Sequence, residues 1–182
     1  MSRANYTEDE ALLISFLHGD NKAFASIYNK YVDTLFAYGI GLGFDRETLK
    51  DAIQDTFVKF YIHKKQLKEI TLLKYYLLSM LRNRLLDIYK STRKEEIFDP
   101  SELSFLVEAD ELDNLIEHEE KQSLIRRVNR LLDVLTGRQK EAVYLRFIQE
   151  LEYEKIGNML NMTAPAVRKL ISRAIKRMRE EK

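Results

Sequence analysis

The stretch LEYEKIGNMLNMTAPAVRKLISRAIKRMREEK, residues 151–182, decides the fold class. Two short helical patterns meet in it at Asn161-Met162-Thr163. In the first, Tyr153, Ile156 and Leu160 recur at helical spacing, with Gly157 between them. The second carries Val167, Leu170, Ile171, Ala174 and Met178 at i, i+3, i+4, i+7 and i+11. Asn161 tolerates the left-handed conformation that closes a helix. Thr163 is placed to cap the next helix, and Pro165 falls in its first turn, where a missing N–H costs nothing. Met162 before the cap and Val167 after it are spaced for a hydrophobic staple. Gly157 leaves room for a close crossing. The pattern is a helix-turn-helix.

The second helix also carries the charge that a DNA reader needs. Thr163 to Arg179 holds six basic residues and no acidic one. Arg168, Lys169, Ser172, Arg173, Lys176 and Arg177 lie off the apolar stripe, free to face phosphates and base edges. The plainer alternative is a solvated basic face on an ordinary helical hairpin.

Outward from this stretch, 182 residues leave room for one or two small domains, and 45% hydrophobic with 32% charged residues mark a globular chain. A net charge of +1 hides a strong segregation. Lys59 to Lys94 holds ten basic and two acidic residues, whereas Glu95 to Glu120 holds eleven acidic residues and no Lys or Arg. The absence of cysteine excludes disulfides and thiolate metal sites. The opening MSRANYTEDE has no apolar core of the signal-peptide kind, and no apolar run approaches the length of a membrane span. A cytoplasmic location is expected.

The N-terminal half reads as helix throughout. Thr7-Glu8-Asp9-Glu10 is a capping box ahead of Leu12, Leu13, Phe16 and Leu17, and Gly19 stops the helix. Asp20 can cap a second helix carrying Phe24, Ile27, Tyr28, Tyr31 and Leu35, which Gly39, Gly41 and Gly43 should end. Asp45 can cap a third, with Leu49, Ile53, Phe57 and Phe60 on one face. A fourth helix is expected from about Leu72 to Lys90. Leu78, Leu81, Leu85 and Ile88 make its apolar stripe. Roughly opposite lie Tyr76, Ser79, Asn83, Asp87 and Lys90. Asn pairs bidentately with adenine, and a Tyr ring is a platform for an unpaired base. Equally, Tyr76 can pack on a neighbouring helix and Asn83 can bridge locally.

Between the halves, the acidic run around Pro100 reads as a linker, turning helical after Asp110 where Leu112, Leu115 and Ile116 share a face. Its acidity is consistent with solvation, with mimicry of nucleic acid, or with holding the basic surfaces when DNA is absent. Then Leu124, Val128, Leu131 and Leu135 predict a helix, Thr136-Gly137-Arg138-Gln139 a second capping box, and Ala142, Val143 and Phe147 the inner face of the helix that follows. The fold class expected is all-α: two small helical domains joined by an acidic linker, the second a helix-turn-helix domain.

In this order the segments resemble the bacterial RNA polymerase sigma factors of the extracytoplasmic-function group, over nearly the whole chain from about Asp9 to Arg179. AFASIYNKYVDTLFAY and LKDAIQDTFVKFY resemble the core-binding part of the family's first domain. YLLSMLRNRLLDIY, starting at Tyr76, resembles the motif that opens the downstream (minus-ten) promoter element. LTGRQKEAVYLRFIQELEYEKIGNMLNMTAPAVRKLISRAIKRMR resembles the fourth-region domain that reads the upstream (minus-thirty-five) element. Several positions depart from the pattern. Tyr76 stands where Trp is common, Glu152 where a capping Ser is usual, and Asn161 where the turn has Gly. Leu170 stands where many members carry Arg, and Lys169 where they often have a small residue.

The resemblance implies a sigma region 2 domain at 1–94, an acidic linker at 95–118 and a sigma region 4 domain at 119–182. It implies docking on core RNA polymerase through the surface bearing Gln54, Asp55 and Phe57. The downstream element would be held by Tyr76, Ser79, Asn83 and Lys90 with the basic loop Lys64 to Thr71. The upstream element would be read by the helix starting at Thr163, with Arg168, Lys169, Ser172, Arg173, Lys176 and Arg177. The partners implied are core RNA polymerase, promoter DNA and an anti-sigma factor, with no cofactor, no metal and no catalysis. Three rivals are weaker. A response regulator of the LuxR type needs an α/β receiver, and the helical periods before Lys90 oppose one. An enzyme needs a constellation that His18, His63 and His118 do not supply, and no phosphate loop or nucleophile motif appears. A helical interaction protein without DNA leaves the acid-free basic helix unexplained.

Overall fold

The computed structural model describes residues 7–64, 67, 72–93 and 127–181. Its elements are α1 (Glu8–Leu17), α2 (Asn21–Gly41), α3 (Arg46–Ile62), α4 (Leu73–Arg93), α5 (Gly137–Phe147), α6 (Tyr153–Leu160) and α7 (Ala164–Glu180). A further helical run covers 127–133, and no strand occurs among the described residues. The chain's contacts divide it into two units: Met1–Gly39 with Phe44–Glu96, and Ile40–Gly43 with Ile97–Lys182. The expected linker at 95–118, most of the loop from Lys64 to Thr71, and Leu124 lie outside the described residues. Among those described, no helix is long and apolar enough to cross a membrane.

The first unit grows from local capping chemistry. Thr7 closes its box with Glu10 at the start of α1, and Gly19 turns the chain at φ 104°. Asp45 accepts from the amides of Glu47 and Thr48 and from the Thr48 hydroxyl, so α3 starts where expected. The Thr48 hydroxyl bond chiefly holds the Asp45 carboxyl below its ordinary pKa. Ion pairs from Lys30 to Glu8 and Asp9, and the Tyr31 hydroxyl donating to Asp9, tie α1 to α2. Burial and then the Asp9 bond push the Tyr31 hydroxyl far above its usual pKa.

Inside, Phe16 stacks on Phe60 with centroids 5.3 Å apart. Ile27, Leu35, Leu49, Leu77, Leu78, Leu81 and Leu85 complete a core that water does not reach. Helix α4 runs Leu73–Arg93, starting one residue later and ending three later than the periodicity suggested. Gly39 does not end α2. It sits inside the helix, where a Cβ would fall 2.2 Å from Leu49 Cδ2. Its role is to let α2 and α3 approach, and the chain turns instead at Gly43, with φ 84°.

In the second unit two expected inner faces are rotated. Leu132 and Leu135 pack with Ala174, with Val134, Val143 and Met178 around them. This i, i+3 pair turns the neighbouring edge outward, so Val128 is exposed. On α5 the face begun by Gln139 and Ala142 continues through Leu145, and Phe147, expected inside, is 54% exposed.

Candidate nucleic-acid interfaces

Five devices fix the helix-turn-helix, α6 and α7, and the helix before it. Thr136 and Gln139 make the reciprocal capping box that starts α5. The adjacent Arg138 donates to the carbonyl of Leu160 at 2.6 Å, satisfying an orphan acceptor at the end of α6. Asn161 then takes the left-handed conformation at φ 53°, ψ 50°. At Gly157 a Cβ would lie 2.5 Å from the carbonyl oxygen of Met162, so only glycine fits against the turn backbone. Thr163 accepts from the amide of Ala166, with Pro165 in the first turn of α7. Glu152, the departure from a capping serine, makes no side-chain cap bond.

Val167, Ile171 and Ala174 face the core, and Leu170 is half-buried. Arg168, Lys169, Ser172, Arg173, Lys176 and Arg177 are all exposed, so α7 displays the basic row that its sequence promised. The members differ in attachment. Arg177 donates to Gln139 Oε1 at 3.2 Å, which binds it to the capping box of α5. Lys176 pairs loosely with Glu180 at 3.7 Å. The guanidinium of Arg168 lies over the ring of Tyr153, 5.0 Å from its centroid. In the sequence Tyr153 reads only as part of an apolar stripe.

The first unit carries the second candidate face, on α4. Asn83 and Lys90 are exposed, Tyr76 and Ser79 only partly so. Tyr76 packs 6.4 Å from the ring of Phe60, and its burial raises its hydroxyl pKa. Ser79 keeps a buried Oγ without a hydrogen-bond partner. The expected face is therefore split: Asn83 and Lys90 are displayed, and Tyr76 belongs half to the core.

The three residues expected to meet a protein partner on α3 also separate. Gln54 is exposed. Asp55 accepts from Arg84 Nε at 2.9 Å and pairs with its Nη2 at 2.7 Å, bridging α3 to α4. Phe57 is buried, 4.7 Å from the ring of Tyr28 and edge-on to Phe24, so it is core and not an exposed anchor. What flanks it is an apolar groove of about 520 Å³ between α2 and α3, lined among others by Phe24, Tyr28, Lys50, Gln54, Val58 and Tyr61. The exposed Val58, Tyr61 and Ile62 were missed. Their signal was a second apolar row at i, i+3, i+4, adjoining the buried one.

Comparison with known proteins agrees with this geometry. Residues 131–180 match the family described as Sigma-70, region 4, which spans the whole helix-turn-helix. A curated relative, the ECF RNA polymerase sigma factor SigM of Bacillus subtilis, is 23% identical over 160 residues, covering 84% of this chain and 91% of that protein. Residues 131–180 thus resemble a sigma-70 region 4 domain, and most of the chain is similar to an extracytoplasmic-function sigma factor. Two solved structures share the fold of this chain. CnrH in complex with the cytosolic domain of CnrY has a TM-score of 0.61 at 18% identity, with 94% of this chain and 95% of that one covered. RpoE in complex with the anti-sigma factor NepR, from Bartonella quintana, has a TM-score of 0.63 at 21% identity, covering 88% and 96%.

Proposed function

We propose that this chain is an extracytoplasmic-function sigma factor that directs core RNA polymerase to specific promoters, with residues 1–94 acting as region 2, 95–118 as an acidic linker and 119–182 as region 4. The observation that carries the reading is the exposed, acid-free basic row of α7, a helix capped by Thr163 within a helix-turn-helix. No chemistry is asked of the chain itself. It supplies recognition, and polymerase supplies catalysis. On α7, Arg168, Lys169 and Ser172 lie early and off the buried stripe, the positions from which a recognition helix reaches base edges, while Lys176 and Arg177 lie late, where backbone contacts prevail. On α4, Asn83 is the exposed amide suited to an adenine edge. Opening of the downstream element would fall to this face, with Lys90 on the backbone and Tyr76 and Ser79 supporting Asn83 from its half-buried side.

Polymerase would dock along the α2–α3 groove, an apolar trough with Gln54 and Lys50 in its lining, as an interface core with polar neighbours requires. Asp55 serves that surface indirectly, through its pair with Arg84. An anti-sigma factor is a further expected partner, because one structural neighbour, RpoE, was solved with the anti-sigma factor NepR bound. Co-purification of the full chain with core RNA polymerase tests the reading. Val58→Glu, a surface change expected to leave stability within about 0.5 kcal/mol, should weaken that association at least ten-fold. Failure of the wild-type chain to bind core polymerase would sink the reading.

A further inference from the structure

We propose that Tyr153 is a positioning residue that holds Arg168 for a bidentate contact with guanine in the upstream element, so that specificity is set partly from outside the recognition helix. The inference rests on the DNA-reading role proposed for α7.

The geometry gathers three side chains from three elements around one ring. Arg146, at the end of α5, donates from Nη1 to the carbonyl of Leu151 at 2.9 Å, which anchors its guanidinium. That guanidinium lies over the ring of Tyr153, 4.8 Å from the centroid. The same ring carries Arg168, at 5.0 Å. Tyr153 is the first residue of α6, and Arg168 stands in the second turn of α7. The anchored cation therefore fixes a half-buried ring, and the ring offers its π system to a cation on the reading helix.

This matters because an exposed arginine samples many rotamers, and ordering it at a base edge costs entropy. A flat aromatic surface is a natural ledge for a planar guanidinium, which stacks and still keeps its N–H groups in plane for a base. Guanine, with O6 and N7 side by side in the major groove, is the base that such a fork fits. Neither Lys169 nor Ser172 presents a planar fork, and Leu170 has no charge where relatives often carry arginine. Among the early positions of α7, Arg168 alone combines the fork with a fixed support.

The test uses the full chain assembled with core RNA polymerase. Selection from randomised upstream elements, run with wild type and Arg168→Ala, identifies the base position whose preference depends on Arg168. That position should prefer guanine. Tyr153→Phe keeps the aromatic face, whereas Tyr153→Leu keeps apolar bulk without it. Discrimination at that position should be unchanged in Tyr153→Phe and fall roughly two- to five-fold in Tyr153→Leu, the size expected for an exposed cation–π contact. The salt slope should stay constant, since no phosphate contact is lost. Full discrimination in Tyr153→Leu would overturn the proposal, as would an equal loss in Tyr153→Phe, which would assign the effect to the hydroxyl. Uniform weakening for all four bases would also overturn it, making Tyr153 a structural residue only. If Arg168→Ala shifts no preference while wild type still selects a motif, the positioning idea fails and the DNA reading stands. If wild type selects no motif, the DNA reading itself fails.

Discussion

On α7 the buried stripe is narrow, Val167, Ile171 and Ala174, and the six polar positions from Arg168 to Arg177 are exposed beside it. On α4 the buried arc is wide. Leu77, Leu78, Leu81, Leu85, Leu86 and even Arg82 are buried, leaving Asn83, Asp87 and Lys90 outside, with Tyr76 and Ser79 at the edge. A helix lying on its domain by a narrow stripe displays what its sequence says. A helix enclosed by neighbours lets those neighbours choose which polar residues reach the surface. Function on α7 can therefore be argued from local chemistry, whereas on α4 it depends on which rings, such as Phe60, take up the space.

The strongest way to break this contrast is to change the backbone that presents α7. Gly157→Ala places a methyl 2.5 Å from a turn carbonyl that cannot move without opening the turn, and should cost about 2–3 kcal/mol of stability by urea unfolding. Gly39→Ala meets the tip of the Leu49 side chain instead. Repacking there is offset by helix propensity of about 1 kcal/mol, so the net change should stay within about 1 kcal/mol. Equal costs would mean that the turn is softer than its geometry implies.

On α4 the contrast sharpens at neighbouring edges of one helix. Tyr76→Ala should lose about 2 kcal/mol of stability, because a half-buried ring leaves Phe60. Asn83→Ala should leave the melting temperature unchanged and remove roughly 1–3 kcal/mol of preference for adenine in the downstream element. If Tyr76→Ala spares stability and alters opening alone, the ring belongs to the DNA face.

Two adjacent cations on α7 make a smaller test. Arg177→Ala breaks the bond to Gln139 and should cost about 1 kcal/mol of stability. Lys176→Ala gives up an exposed i, i+4 pair and should cost less than about 0.5 kcal/mol. Lys176→Ala should still lower the salt slope of DNA binding by about one unit, with base preferences intact. In the opposite direction, Glu152→Ser supplies the missing cap of α6 and should stabilise by about 0.5–1 kcal/mol in thermal unfolding.

Features that act over one helical turn were legible in the sequence: both capping boxes, the left-handed Asn161, the Thr163 cap and the tight fit at Gly157. Each needs only residue types at fixed offsets. Features that join distant segments were not. Asp55 looked like a free interface acid until Arg84, 29 residues on, closed on it. The exposed Arg177 also bonds to Gln139, 38 residues back, a contact that no local pattern announces. Periodicity also fixes that a helix has an inner face without fixing its edges, so Val128 and Phe147 were placed inside and lie outside. The role of Tyr153 was hidden for both reasons. It belongs to an apolar stripe, and its charged neighbours come from α5 and α7.

The most direct measurement of the central claim is transcription in vitro from a pool of genomic fragments, using core RNA polymerase with the full chain or with Arg168→Ala. Wild type should produce transcripts whose start sites share one upstream motif, and Arg168→Ala should start from sites whose motif is relaxed at a single position. Transcripts with no shared upstream motif, or a motif that Arg168→Ala leaves untouched, would contradict the account.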